Sequence, residues 1–294
     1  MLTESERRAT ERKKIVEKYF AEDPTGRGAA LVRLGGALIL LIIGFATLGS
    51  SSIVGVLFIL VALYFGLRGG LRLATYMRLY NEARPKPTGR QMDEYLAKDL
   101  ETIESRALQE LGLTPDDLET GDQAWDPVAA LGIGNRPPKR PILVWGPSPN
   151  SGFAVGDDNI WRFRAYEVMV LCPTHHHLAI FRTELSMLTG GSYHEETQEY
   201  QYAHVVSVST VTVPAPAAIT RTDLNDDDKS RVRFAKATLK QFELGVSSGR
   251  SSTVTVGISN ADNPTDEAHL PESGIQQVIA SVRRVLRDKK GAFS

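Results

Sequence analysis

The sequence predicts an α+β protein that combines a helical hairpin with an antiparallel β domain and a closing C-terminal helix. Three observations support this class. Between Ala29 and Leu67 the only charged residue is Arg33, so this stretch is apolar enough for membrane helices. After Pro141, apolar and polar residues alternate in runs rich in β-branched and aromatic side chains, which is typical of strands. From Ile275 to Leu286, apolar residues recur at helical spacing and predict one amphipathic helix.

The apolar stretch over residues 29–70 is too long for one membrane helix. A helix needs roughly 20 residues to cross about 30 Å of hydrocarbon, and this stretch is nearly twice that length. Gly49–Ser52, in its middle, reads GSSS and supplies turn geometry and hydroxyl groups for the helix ends. Two antiparallel transmembrane helices joined there fit best. One alternative is a hairpin buried in a soluble core, but both arms are apolar all round rather than striped. The other is a re-entrant hairpin, since the second arm is short before Arg68.

Charge predicts the orientation of the hairpin. Lys and Arg are frequent before residue 29 and after residue 67, whereas the connecting turn carries no charge. Positive residues stay on the cytoplasmic side, so both termini should be cytoplasmic. The single cysteine, Cys172, suits a reducing compartment, and the mixed-charge N-terminus is not that of a signal peptide. We expect a protein of the inner (plasma) membrane whose bulk is cytoplasmic.

Four segments are predicted along the chain. They are a charged cytoplasmic N-terminal segment (1–28), the hairpin (29–70), juxtamembrane helices and a linker (71–140), and a cytoplasmic β domain with its C-terminal helix (141–294). Within the third segment, the second arm should continue towards Pro85. An amphipathic helix should follow, with an apolar stripe from Met92 to Leu111, and TPDDL should begin a short helix capped by Thr114.

The β region resembles a known family. YEVMVLCPTHHHLAIFRTEL, a polar turn and then EYQYAHVVSVSTV are similar to bacterial pleckstrin-homology-like (PH-like) domains. In that family a strand pair with a basic or polar turn precedes an acidic and aromatic segment, two further strands and a capping helix. The resemblance covers residues 141–290 and implies an antiparallel β barrel or sandwich capped by the C-terminal helix. Many such bacterial proteins are membrane-tethered, in agreement with the hairpin. The long loop over residues 214–230 departs from the family pattern.

Two short stretches contain metal-ligand residue types. In CPTHHH, Cys172 and His176 would be the ligand pair for a metal ion. Consecutive residues of a strand point to opposite faces, so the three histidines cannot all reach one ion, and we expect a polar turn and no metal. Asp223, Asn225 and Asp227 have calcium-loop spacing. That loop lacks the glycine at its sixth position and the glutamate at its twelfth, which predicts a solvated surface loop.

No catalytic motif is present. G-x-S-x-G and the Walker motif are absent, and LGIGN at residues 131–135 lacks the third glycine of a dinucleotide-binding loop. We therefore predict no catalytic residues, no cofactor and no enzymatic activity.

The balance of charged residues after residue 140 indicates which ligands the β domain can bind. After residue 140 there are fifteen Lys and Arg against seventeen Asp and Glu, which does not favour nucleic acid or specific lipid headgroups. Arg162, Arg164 and Arg182 form the best available basic cluster for an interaction, although exposed strand faces commonly carry such charges.

Small residues in the hairpin predict close helix packing. Gly35, Gly36 and Gly44 in the first arm, with Ser51 and Gly55 in the second, would let the two arms approach closely. Packing between neighbouring protomers is the alternative use of the same residues.

Taken together, the sequence favours a non-enzymatic, membrane-tethered scaffold that binds a protein partner at the inner membrane. The alternative is a homo-oligomerising membrane effector or sensor, whose hairpin responds to a signal read by the cytoplasmic domain. A metal-dependent protein that uses the CPTHHH turn is the third reading.

Overall fold

The computed structural model describes residues 4–22, 24, 27–48, 52–120, 139–223, 232–234, 236–263, 265–271 and 273–291. Within these residues the chain divides into two compact units. One contains the N-terminal helix and the chain from Pro87 onward, and the other contains residues 21–86. The units therefore cut the chain differently from the four predicted segments. The N-terminal segment and the helix after Pro87 both belong to the unit that contains the strands.

The second unit consists of two apolar helices. They are α2 (Arg27–Thr47) and α3 (Ser52–Ala83), and both are long and apolar enough to cross a membrane. Residues 49–51 of the predicted turn lie between them in the sequence and are outside the described part of the chain. Large apolar side chains line both helices on the outside of the unit, and Ile53 is 85% exposed. As predicted, α3 continues well past the apolar stretch and ends just before Pro85.

The two arms come closest at a pair of glycines. A Cβ atom on Gly55 would lie 2.9 Å from the Gly44 carbonyl oxygen and 3.0 Å from the Cα of Leu48. The backbones are therefore in direct contact, as small residues permit. Gly44 and Gly55 are two of the five predicted packing residues. A Cβ on Gly35 or Gly36 would meet nothing within 4 Å, and Ser51 lies outside the described residues.

The first unit contains a four-stranded antiparallel sheet. Its strands are β1 (Ile142–Pro147), β4 (Ala165–Pro173), β5 (His177–Ser186) and β6 (Ser192–Gln201), in that spatial order. Two short strands, β2 (Phe153–Val155) and β3 (Trp161–Phe163), follow β1 along the chain and pair with each other in a separate hairpin before β4 begins. Each long strand is therefore hydrogen-bonded to the next long strand along the chain.

A three-stranded antiparallel sheet follows. It contains β7 (Val205–Pro214), β10 (Ala237–Val246) and β11 (Ser251–Asn260), in the order β11-β10-β7. The short strands β8 (Ile219–Thr220) and β9 (Val232–Phe234) pair within the predicted long loop and just after it. Helix α5 (Ile275–Gly291) closes the unit. The predicted α+β class, the antiparallel sheets and the C-terminal helix are thus confirmed.

The two sheets meet where β1 passes β11. Only glycine fits at position 146, because a Cβ there would overlap the Thr255 carbonyl oxygen. The Glu167 carboxylate on β4 accepts a hydrogen bond from the Thr255 backbone N–H at 2.8 Å. Burial raises the pKa of Glu167, and this hydrogen bond opposes the rise. Strands β1 and β4 of the first sheet thereby contact β11, the last long strand, and join the two sheets.

In the four-stranded sheet, β1, β4 and most of β5 are buried on both faces, whereas β6 is mostly exposed. One face packs with the second sheet and α5, through residues such as Met169, Ile180 and Phe242. The other face packs with α1 (Glu4–Tyr19) and α4 (Gly89–Glu110), through residues such as Val170 and Phe181. The near-continuous apolar sequences of β1 and β4 are what a sheet covered on both faces requires.

The helices on the outer face differ in how well the sequence reveals them. The predicted apolar stripe of α4 is buried from Met92 to Ala107, and Thr88 caps the helix by accepting from the Gln91 N–H at 3.3 Å. The short helix at Pro115–Asp117 is also present. In contrast, α1 was predicted only as a charged segment. Its buried side chains lie near its end and are followed by buried Phe20, so the apolar stripe is short.

A buried arginine joins these helices to the strands. Arg162 on β3 is 1% exposed and donates to both carboxylate oxygens of Asp93 on α4, at 2.8 and 2.7 Å. It also donates to Asp158 at 3.0 and 2.7 Å and to the Tyr19 hydroxyl at 3.3 Å. Burial alone would lower the pKa of Arg162, but the bonds to Asp93 and Asp158 outweigh it and raise the pKa. A Cβ at position 89 or 156 would lie within 3 Å of the Arg162 guanidinium and the Asp158 carboxylate, so these side chains would have to shift.

A second ion pair reinforces the attachment of α1. Arg12 donates to both oxygens of Asp99 on α4 and to the Met187 carbonyl oxygen at 3.1 Å. Burial raises the pKa of Asp99, and the bond from Arg12 opposes this rise. Two arginine–carboxylate contacts therefore hold α1 and α4 to each other and to the strands.

Replacing Arg162 by methionine should destabilise the first unit. The variant Arg162→Met leaves Asp93 and Asp158 without their cation, which should cost about 3 kcal/mol of unfolding free energy. The matched control Arg90→Met removes an exposed pair with Glu94 and should cost less than about 0.5 kcal/mol. Urea unfolding followed by tryptophan fluorescence measures both values.

Acid should act on the same contact. The hydrogen bond from Arg162 lowers the pKa of Asp158, so this pair stabilises the fold above the ordinary aspartate pKa and less as pH falls through the lowered value. The acid-dependent loss should be smaller in Arg162→Met. If acid lowered the unfolding free energy of Arg162→Met and Arg90→Met by the same amount, the structural role of Arg162 would be contradicted.

Gly55→Ala should weaken the hairpin. The new methyl group would press on the Gly44 carbonyl oxygen and the Leu48 backbone. Such overpacking typically lowers the folding stability by roughly 1–3 kcal/mol. Gly35→Ala is the matched control, because its methyl would meet nothing. Unfolding in mixed micelles, followed by energy transfer between dyes at positions 28 and 71, compares the variants. A larger effect at Gly35 would show that the arms pack through another face.

Candidate interaction surface

The histidine turn does not bring Cys172 and His176 together as ligands. Cys172 is buried in the core on β4, where burial raises the pKa of its thiol to about 12. His176 is exposed in the β4–β5 turn. The Thr174 hydroxyl accepts from the backbone N–H groups of His176 and His177, at 3.3 and 3.1 Å, and so organises a polar turn. No group of three metal-ligand side chains occurs among the described residues.

The same turn is linked to the end of α5. His175 Nδ1 lies 2.8 Å from a Glu119 carboxylate oxygen, and the other oxygen accepts from Lys289. An open pocket of about 690 Å³ lies nearby, lined by His176, His177 and residues 199–203. His177 Nε2 is 3.8 Å from the Glu199 carboxylate in this lining. These contacts connect the turn to a helix end and assemble no catalytic constellation among the described residues.

The three predicted arginines do not form a basic patch. Arg162 is buried in the ion-pair network described above, so it faces no ligand. Arg164 is exposed, lies over the Phe20 ring and donates to the Phe20 carbonyl at 3.3 Å. Arg182 lies 3.5 Å from the Glu196 carboxylate. The predicted cluster is therefore wrong, because Asp93 and Asp158 lie outside the β run in which the alternation of arginines was read.

Two motifs that we predict not to be binding sites, the calcium-like loop and LGIGN, fall partly or wholly outside the described residues. Asp223 is buried and accepts two hydrogen bonds from Arg221, at 3.0 and 2.7 Å. Asn225 and Asp227, which complete the calcium-loop pattern, lie outside the described part of the chain, and so does LGIGN at residues 131–135.

The edges of the sheets are the surface that the fold leaves for strand pairing. The four-stranded sheet is covered on both faces over β1, β4 and β5, and β1 lies against β11. Among the described strands, β6 ends the first sheet and β7 ends the second. In the sequence, EYQYAHVVSVSTVTV is a continuous run of β character. The structure breaks it at residues 202–204, so its halves belong to different sheets.

Charge distinguishes these two edges. Strand β6 is mostly exposed and carries Glu195, Glu196 and Glu199, which contact Arg106, Arg182 and His177 respectively. Strand β7 reads VVSVSTVTVP and carries no charge, although most of its residues are at least partly exposed. Natural proteins commonly place charges on exposed edges to prevent strand addition. By this criterion β6 is protected against strands that bring no opposite charge, whereas β7 is open.

Helix α5 runs beside the open edge. Its apolar face packs into the core through Val278, Ile279 and Val282, and Arg283 on its exposed side donates to the Val208 carbonyl oxygen at 3.1 Å. Since this carbonyl points away from β10, the backbone groups of Thr210 and Thr212 also point outwards, because the direction alternates along a strand. Arg284 and Arg287 extend the positive charge along the same helix.

Sequence reasoning missed this surface for identifiable reasons. The apolar and polar alternation of residues 205–214 predicts a strand, but a pattern within one strand does not reveal whether both neighbours are present. Arg283 was part of the predicted C-terminal helix, and its contact with Val208 spans 75 positions of the chain. The absence of charge in VVSVSTVTV is the one signal that could have drawn attention to the edge.

Comparisons with protein-family models, with curated proteins and with solved structures find no match to this chain.

Proposed function

We propose that this chain is a non-catalytic, membrane-tethered scaffold whose PH-like domain binds a protein partner by strand addition along β7. The observation that carries the proposal is the ten-residue β7 edge, which is exposed, uncharged and bordered by α5. Partner recognition through an added strand uses main-chain hydrogen bonds for affinity and side-chain contacts for specificity.

The topology supports the PH-like part of the proposal. Apart from its two short hairpins, the β region is a four-strand meander, a three-strand meander and a closing helix. The resemblance stated from sequence implies this arrangement, a β barrel or sandwich capped by the last helix. The helices α1 and α4 would then be an additional layer on the outside of the barrel.

The tether is supported by composition and by chain connectivity. Helices α2 and α3 are apolar and of membrane-spanning length, and Lys and Arg are frequent on both flanks. The elements on the two sides of this pair, α1 and α4, belong to the same folded unit. A hairpin whose two ends lead into one unit keeps both ends on one side of a membrane. We therefore place the β domain and both termini at the cytoplasmic face of the inner membrane.

Arg283 would compete with a partner strand for the β7 edge. An incoming strand needs the Val208 carbonyl as an acceptor, and Arg283 occupies that acceptor in the free domain. The side chain is exposed, so it can move aside at little cost. Its freed guanidinium would then lie beside the added strand and favour a partner with a carboxylate there.

Thr210→Pro should abolish strand addition while preserving the domain. Proline removes an outward N–H that β10 does not use, and edge strands tolerate such a change. We expect partner capture to fall about tenfold or more, which corresponds to about 1.4 kcal/mol. Thr210→Ala keeps the N–H and is the matched control. Cross-linking in native membranes followed by mass spectrometry measures capture, and equal capture by the two variants would refute the β7 site.

Deleting residues 29–70 should release the protein from the membrane. The deletion removes most of the apolar surface of α2 and α3, and the remaining polar flanks provide no comparable anchor. Fractionation after a carbonate wash should find the full chain in the pellet and the deletion variant in the supernatant. A variant that stays in the pellet would refute the hairpin as the anchor.

A second candidate function is the membrane effector or sensor. It is favoured by the ion pairs of Arg162 and Arg12, which attach the helices before and after the hairpin to the β domain. A ligand that shifted these attachments would act on both ends of the hairpin at once. In that case Arg162→Met would alter the behaviour of the membrane region, whereas a scaffold would lose only stability.

A further inference from the structure

We infer that the partner strand at β7 is β6 of a second copy of this chain, so that copies join head to tail. The inference rests on the proposed function, because it names the occupant of the same edge. It is carried by the complementary chemistry of two edges that belong to one domain.

The first argument is charge complementarity. Strand β6 presents Glu195, Glu196 and Glu199, with 25%, 52% and 60% of their side-chain areas exposed. Strand β7 has no charge of its own, and α5 beside it exposes Arg283 and Arg287, which lie one turn apart on the helix. A β6 edge placed along β7 would therefore bring carboxylates to a row of guanidinium groups. Opposite charges across an interface also favour the correct register.

The same charges disfavour pairing of like edges. Two β6 edges would oppose glutamates to glutamates, and two β7 edges would bring two copies of the α5 arginine row to one interface. Like charges directly opposite each other destabilise strand pairs. Only the pairing of β6 with β7 places opposite charges together.

The second argument is geometric. Both edges are ten residues long, Ser192–Gln201 and Val205–Pro214, so neither leaves an unpaired overhang. They end different sheets, so one copy can donate β6 while its own β7 accepts the next copy. Such heterologous contacts repeat and form a ring or a linear array. The proposed tether would confine all copies to one plane and raise their effective concentration.

Single-cysteine cross-linking tests this arrangement on the full chain in membranes. The native Cys172 is buried with a raised pKa, so added cysteines should react selectively with a bis-maleimide. We would co-express Thr197→Cys on β6 with Thr212→Cys on β7, under different tags. Head-to-tail assembly predicts a cross-linked dimer that carries both tags, and no dimer from either variant alone.

Charge reversal provides the matched control. Glu196→Lys combined with Glu199→Lys should reduce the mixed cross-link at least fivefold. Adding Arg283→Glu and Arg287→Glu in the co-expressed chain should restore it, because the charges are again opposite. Failure of this restoration, with both chains folded, would overturn the ionic basis of the pairing.

Other outcomes separate the inference from the proposed function. A dimer from Thr212→Cys alone would indicate β7–β7 pairing and overturn the head-to-tail arrangement. A cross-link from Thr212→Cys only to a different protein would also overturn it, while leaving strand addition at β7 intact. No cross-link from Thr212→Cys to any protein would overturn both.

Discussion

The guanidinium group of Arg162 is enclosed by parts of the chain that are far apart in sequence. A buried cation is tolerated only where carboxylates and hydrogen bonds replace its water, and Asp93, Asp158 and Tyr19 provide these groups. One of them comes from α1 and another from α4, so the contact forms only when both helices are in place on the strands. The outer helical layer of the domain thus depends on it.

That layer determines which surfaces remain for recognition. With α1 and α4 on one face of the first sheet and the second sheet on the other, the sheet has no open face over β1, β4 and β5. The contact of β1 with β11 further reduces the edges that are free. What the described strands leave is β6 and β7, and only β7 lacks the charges that normally prevent pairing. These exposed edges are the surfaces on which the proposed interaction rests.

Local patterns predicted the elements well, because each depends on short-range periodicity. The amphipathic stripe of α4, the closing helix α5 and the two apolar helices all follow from spacing within one segment. Packing partners did not follow. Arg162 looked like an exposed strand residue because Asp93 lies 69 positions away. The division between β6 and β7 depends on residues 202–204, whose apolar and aromatic character continues that of the strands. The α1 helix has too few apolar residues to produce a periodic signal.

The proposed tether restricts which assemblies such edges can form. If both ends of the hairpin lead into one domain, every copy stands on the same side of the membrane, and copies can be related only by rotation about the membrane normal or by translation in its plane. A helical filament whose axis lies in the membrane plane would lift some domains away from the bilayer, so it is incompatible with the anchor. Heterologous pairing of β6 with β7 would then have to close into a ring or extend as a flat array. In either case weak strand pairing suffices, because confinement to a surface supplies much of the effective concentration.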